Sequence, residues 1–261
     1  MSEINPNEFP QPQAESGAAA DAGNFIAAGR TVDAGRGWEW IVSGFALFKQ
    51  QPGIWILIVL VLLACSILIS LVPLIGGLAN LLLLQVFMGG IMTGCRALDR
   101  DGSLEVGHAF AGFRQNTSNL VVLGLLALIG WVIILIPALL LMGGGSFLAM
   151  LRGGGDVVSV AAIGFTFMLA MLVVLALSVP LYMALWFAPP LVVFHGMAPV
   201  AAMQVSFFAC LKNLIPFLLY GAIVVALAVI AAIPFGLGFL VLAPVVMASI
   251  YTAYRDIFFA A

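Results

Sequence analysis

The sequence predicts an all-α, polytopic membrane helix bundle: six transmembrane helices plus three interfacial amphipathic helices in a repeated interfacial-helix and hairpin arrangement. Three observations carry that reading. Of the 261 residues, 64% are hydrophobic and 8% charged, whereas a soluble domain carries about 25% charged residues. A soluble fold of this size has too little interior to hide so much apolar surface. Six stretches each offer roughly the 20 apolar residues needed to cross about 30 Å of hydrocarbon. Those runs are apolar on every face, whereas the strands of a membrane barrel alternate, and lipid tolerates only helices or closed barrels.

The chain opens on a different composition. Residues 1–35 are rich in Pro, Ala, Gly, Asn, Gln and acids, and poor in bulky apolar side chains. They hold no apolar run behind a basic start, so they do not read as a secretory signal. Such a segment cannot repay the entropy of ordering, and it reads as a disordered cytoplasmic tail ahead of a membrane domain over residues 36–258.

The first span runs from about Ile54 to Val72, after Gln50-Gln51-Pro52-Gly53. Pro73, Gly76 and Gly77 read as the turn into the second, Gly77 to Cys95, which Arg96 and Asp99 close. The third covers about Leu120 to Met142 and stops at Gly143-Gly144-Gly145. The fourth starts near Val157, and no charge interrupts the chain from there to Phe194. A single helix of that length would overshoot the bilayer, so Pro180 is expected to kink it and Pro189-Pro190 to end it. The fifth runs from Leu214 to Ala232 and the sixth from Leu237 to Tyr254, joined through Pro234 and Gly236.

Cations near span ends collect on the cytoplasmic side. With six spans, Arg30, Arg36, Lys49, Arg96, Arg100, Arg114, Lys212 and Arg255 fall on the side of the N-terminus, and Arg152 alone falls on the other. Both termini are therefore expected in the cytoplasm. The net charge of -2, with cations thinly spread, excludes a surface that tracks nucleic acid.

A pattern recurs three times before the odd-numbered spans: Phe48-Lys49-Gln50, Phe113-Arg114-Gln115 and Leu211-Lys212-Asn213, each with a Phe three residues earlier (Phe45, Phe110, Phe208). Three-residue spacing puts the paired large side chains on one helical face. Glu105, His108 and Gln115 fall on another face. Such a helix lies flat at the interface with its cation near headgroups.

The segment Trp186-Phe-Ala-Pro-Pro-Leu-Val-Val-Phe-His195, with Ser206 and Lys212 after it, resembles bacterial six-pass membrane proteins, including the membrane domain associated with some glycerophosphodiester phosphodiesterases. Gly35-Arg-Gly-Trp-Glu-Trp-Ile41 through Pro52-Gly53, with Gly94-Cys-Arg-Ala-Leu-Asp99 and the Phe113-Arg114 helix, is similar to a proteobacterial six-pass inner-membrane family of unknown function. The resemblance covers about residues 35 to 258 and implies an inner-membrane location. It implies no catalytic residues, and this sequence carries no soluble phosphodiesterase domain.

No Asp, Glu, Lys, Arg or His falls in the middle of any of the six spans. Proton-coupled carriers and intramembrane proteases need such groups, so neither class is expected, and no cofactor is. Glu105 and His108 form a Glu-x-x-His pair, yet di-iron bundles use two such motifs with two further Glu; His108 also holds the repeat position of Ser43 and Ser206, which a surface-polar slot explains. Cys65, Cys95 and Cys210 are far apart and read as small buried hydrophobes. Lys49, Arg96, Arg100, Arg114 and Lys212 are the candidate contacts to lipid headgroups. Gly90 with Gly94, and Ala222 with Ala226, allow close helix packing, expected inside the bundle. Trp38, Trp40, Trp55 and Tyr254 sit where an interfacial aromatic belt would lie. The reading is a non-enzymatic membrane scaffold or lipid-interacting protein, its partners membrane lipids and a membrane protein or a second copy. The alternative is a permease for an apolar or amphipathic solute, suggested by the interrupted fourth span.

Overall fold

In a computed structural model of the chain, residues 25–73, 75–151 and 157–260 are described. Six helices are long and apolar enough to cross a membrane, and among the described residues the only β feature is a bridge between Phe25 and Phe259. The helices are α1 (Arg36–Gln50), α2 (Pro52–Ser70), α3 (Ile75–Asp101), a 3-10 helix (Val106–Phe113), α4 (Thr117–Leu151), α5 (Val157–Trp186), α6 (Ala188–His195), α7 (Pro199–Lys212), α8 (Leu214–Ala232) and α9 (Phe239–Phe258).

They form three units, each a short helix followed by a hairpin. The short helix packs on the outgoing arm of the preceding hairpin: the 3-10 helix on α3, and α7 on α5. The first unit has no predecessor, and its α1 packs on α9, the last arm of the third unit. The ring is thereby closed. Small residues make these contacts possible. A side chain at Gly44 would sit 2.7 Å from the Val245 carbonyl oxygen and 2.8 Å from the Ser249 amide nitrogen. Gly90 lies on the carbonyls of His108 and Ala109, and Gly94 meets Leu104 and His108. Without a hydrophobic drive between helices in lipid, such backbone proximity is what dispersion forces need.

A second device repeats. The side chain of Gln51, just before α2, donates to the Gly102 carbonyl at 3.0 Å and accepts from the Leu104 amide at 3.0 Å. Asn116, before α4, donates to the Val192 carbonyl at 3.1 Å. Asn213, before α8, accepts from the Val32 amide at 2.8 Å and donates to the Arg30 carbonyl at 2.9 Å. Each amide thus ties the start of an odd-numbered span to backbone on the approach to the next short helix, and the third ties to the approach to α1. In the first two units the working amide stands one residue beyond the Gln50 and Gln115 of the sequence pattern.

Several boundaries move. The span begun at Thr117 continues as helix through Gly143-Gly144-Gly145 to Leu151; glycine is tolerated in a helix that lipid forbids to unfold. At 1.5 Å per residue α4 is about 52 Å long, so it exceeds the hydrocarbon. Gly76 and Gly77 belong to α3, not to the turn. Pro180 lies inside an unbroken α5. The break comes at Phe187, and Pro189-Pro190 opens α6 rather than ending α5, because the first turn of a helix has no use for those N–H groups. The second short helix is 3-10, not α; Gly107 and Gly112 lower its α propensity. Phe25 to Val32, read above as part of the tail, contacts the bundle, as described below; residues 1–24 and Arg152 lie outside the described residues.

The largest fully buried side chains, among them Trp40, Trp55, Phe187, Tyr254 and Phe258, come from the half of the bundle that carries the short helices. Trp40, Trp55 and Tyr254 are therefore core and not belt, while Trp38 is exposed. At the opposite end Leu68, Leu71, Ile75, Leu139, Leu140 and Ile233 are exposed, an apolar surface that only lipid can cover. Gly90 and Gly94 pack internally as expected; Ala222 and Ala226 are exposed instead, since α1, α7 and α9 cover other faces of α8. Cys95 and Cys210 are buried, and Cys65 is half-buried.

Candidate functional site

The face with the short helices holds the charged side chains of the described chain, and its centre is a carboxylate. Asp256 stands in the last turn of α9, 8% exposed. Its Oδ1 accepts from Arg30 and from Arg36, each at 2.6 Å. Its Oδ2 accepts from Arg36 Nε at 2.8 Å and from the Trp40 indole at 2.8 Å. Arg30 Nε also donates to the Asp256 carbonyl at 2.6 Å. A buried carboxylate is costly unless paired and hydrogen-bonded; here two guanidiniums and an indole meet that demand. Glu39 pairs with Arg36 and balances the second cation.

The segment leading to α1 is held by the same corner. The Ile26 amide donates to the Phe258 carbonyl and the Arg30 amide to the Ile257 carbonyl, both at 2.8 Å. The Phe25 ring stacks on His195 at 3.7 Å, and His195 Nε2 lies 2.6 Å from the Tyr254 hydroxyl. Gly29 turns with φ +61° into a space bounded by Ile257 and Ala209, a conformation that favours glycine. None of this was visible in the sequence. The signal the sequence does offer is Asp256 itself: a carboxylate in the last turn of an apolar helix announces a partner.

The five candidate headgroup cations are not alike. The Arg96 guanidinium lies over the Phe194 ring, 4.3 Å from its centre. Lys212 is exposed and donates to the Ala28 carbonyl at 2.8 Å. Lys49 is exposed, 5.1 Å from the Phe45 ring centre. Arg100 is exposed and has an interaction of its own. Arg114 is exposed and lines a cleft of about 540 Å³ with Glu105, His108 and Gln115. The structure brings Arg114 to that cleft, while Lys49, Arg96 and Arg100 stand on the first unit and Lys212 on the third. Arg255, at the same end of the bundle, pairs with Asp99, which also accepts from the Tyr251 hydroxyl at 3.1 Å.

The Glu-x-x-His pair has a local task. Glu105 precedes the 3-10 helix and its side chain accepts from the His108 amide, while His108 Nδ1 accepts from the Glu105 amide at 3.0 Å. This is a capping box with histidine in the returning position. Ser206, one repeat later, closes the break in the fourth span: its hydroxyl accepts from the Phe187 amide at 2.9 Å and donates to the Met183 carbonyl at 2.7 Å.

No family model matches this chain, and no solved structure does. A probable inner membrane protein of Burkholderia thailandensis is 31% identical over 211 residues, covering 79% of this chain and 77% of the relative. The chain, with six helices long and apolar enough to cross a membrane, belongs to the family of that probable inner membrane protein.

Proposed function

We propose that the chain is a non-enzymatic membrane scaffold that holds phospholipid headgroups on the face of its short helices, with both termini cytoplasmic. One observation carries this reading: exposed cations stand at the ends of the short helices, directly above an apolar surface that acyl chains must cover. Lys49, Arg114 and Lys212 occupy the same place in the three units, and interfacial cations in that setting attract phosphate. Exposed Ala222 and Ala226 suit a second copy or another membrane protein as partner on α8.

The permease reading draws on the interrupted fourth span. The break is filled by Phe187, fully buried, and tied by Ser206, which supports a fixed corner rather than a moving gate. Mass spectrometry of the protein released intact from native membranes is the test. A bound phospholipid, lost when Lys49, Arg114 and Lys212 are all changed to Gln, is the expected result. Lipid retention unaffected by that triple change, or solute uptake that depends on the protein, would overturn the proposal.

A further inference from the structure

The clefts between units are lined almost wholly by apolar side chains: one by Trp38, Phe45 and Leu242, another by Trp186, Leu214 and Phe217. The cleft beside the 3-10 helix is different. Thr93, Glu105, His108, Phe110, Arg114 and Gln115 line it, so two opposite charges share one cavity. They do not neutralise each other: among the described residues no ion pair joins Glu105 to Arg114. They stand just before and just after an eight-residue 3-10 helix, which at about 2 Å per residue keeps their backbones about 18 Å apart. Both side chains line the same cleft.

A ligand that fits such a cleft carries an anion and a cation a few ångströms apart. Donors gather at the Arg114 end: its guanidinium and the Gln115 amide. His108 stands at the other end, beside Glu105. Its Nδ1 accepts the Glu105 amide proton, so the ring proton is on Nε2 and donates. The Glu105 carboxylate is the acceptor at the other end, one part of it engaged in the cap. We propose that this cleft binds a phosphoethanolamine group, its phosphate on Arg114 and Gln115, and its ammonium on Glu105. Phe110, Phe113 and Phe87 cluster beside it with ring centres 5.4–6.4 Å apart and offer an apolar wall to attached acyl chains. The group is carried either by a lipid or by the free compound. A carboxylate hydrogen-bonds a primary ammonium but not a trimethylated one, and it repels a headgroup with no cation. The assignment rests on the lipid reading above and narrows it to one site and one headgroup.

The purified full chain in mild detergent, offered equal phosphatidylethanolamine, phosphatidylcholine and phosphatidylglycerol, is examined by native mass spectrometry. The expected result is one retained phosphatidylethanolamine, about tenfold over either competitor, the worth of one charge-assisted hydrogen bond. Glu105→Gln keeps an acceptor for the cap and should erase the preference over phosphatidylglycerol; Arg114→Gln should lower phosphatidylethanolamine retention about tenfold. Circular dichroism and thermal unfolding check that both variants stay folded. A parallel titration with soluble phosphoethanolamine separates the two sources: saturable binding with no lipid preference assigns the site to the free compound. Equal retention of the three lipids without such binding, or a preference that survives both substitutions, overturns the assignment. If lipid is then still lost on neutralising Lys49 and Lys212, the broader lipid reading stands without this site; if no lipid is held at all, both fall.

Discussion

Asp256 shows how one side chain can organise a corner of the molecule. Removing it leaves two guanidiniums and the Trp40 indole without their shared acceptor, and breaking a buried pair costs about 3–5 kcal/mol. Since Arg30 and Arg36 are each about a third exposed, water softens the loss, and Asp256→Ala should cost about 2–3 kcal/mol. A thiol-reactive dye that reaches Cys95 and Cys210 only on unfolding reads this as a lower transition temperature. Arg36→Gln, which leaves Arg30 in place, should cost less. Gly44 is a second sensitive residue. Gly44→Ala drives a methyl group into the backbone of α9 and should cost about 1–3 kcal/mol. Gly53→Ala, where no atom lies within 4 Å, should stay within about 0.5 kcal/mol in the same assay. Equal effects at the two glycines would contradict the close approach of α1 and α9.

Among elements, the six spans were legible because each backbone in lipid must satisfy its own hydrogen bonds, which leaves a long apolar run as the signature. The fifth span matched residue for residue, Leu214–Ala232, since Asn213 and Pro234 bound it sharply. What escaped was everything set by contact between units. The cap made by Glu105 and His108 looks in sequence like half a metal motif, and the linking amides Gln51 and Asn116 stand one place from where the pattern pointed. Burial ranks these amides. Asn213 is 1% exposed, and Asn213→Ala strands the Val32 amide and the Arg30 carbonyl, a loss of about 2–3 kcal/mol. Gln51→Ala, at a half-buried site with water near, should lose under about 1 kcal/mol. Hydrogen exchange at the Val32 amide should accelerate in Asn213→Ala and remain unchanged in Gln51→Ala.

For the whole molecule, three similar units arranged head to tail become a ring only because the residues before α1 serve the third unit as the linkers serve the first two. Deleting residues 1–35 therefore removes the contacts of Phe25, Arg30 and Val32 with the last unit and should lower the transition temperature at least as far as Asp256→Ala. Combining the two changes should add little, because they cut one network; full additivity would show that the segment and the carboxylate act separately. The ring also bears on how the protein is made. Synthesis runs from the first residue to the last, so α1 leaves the ribosome before every helix it packs against. Its apolar side, with Trp40 and Phe48, and the charges of Arg30 and Arg36 must wait through five inserted spans until α9 follows. Completion of the fold is thus tied to completion of the chain, and a product truncated before Asp256 displays an unmatched α1 that membrane quality control can recognise.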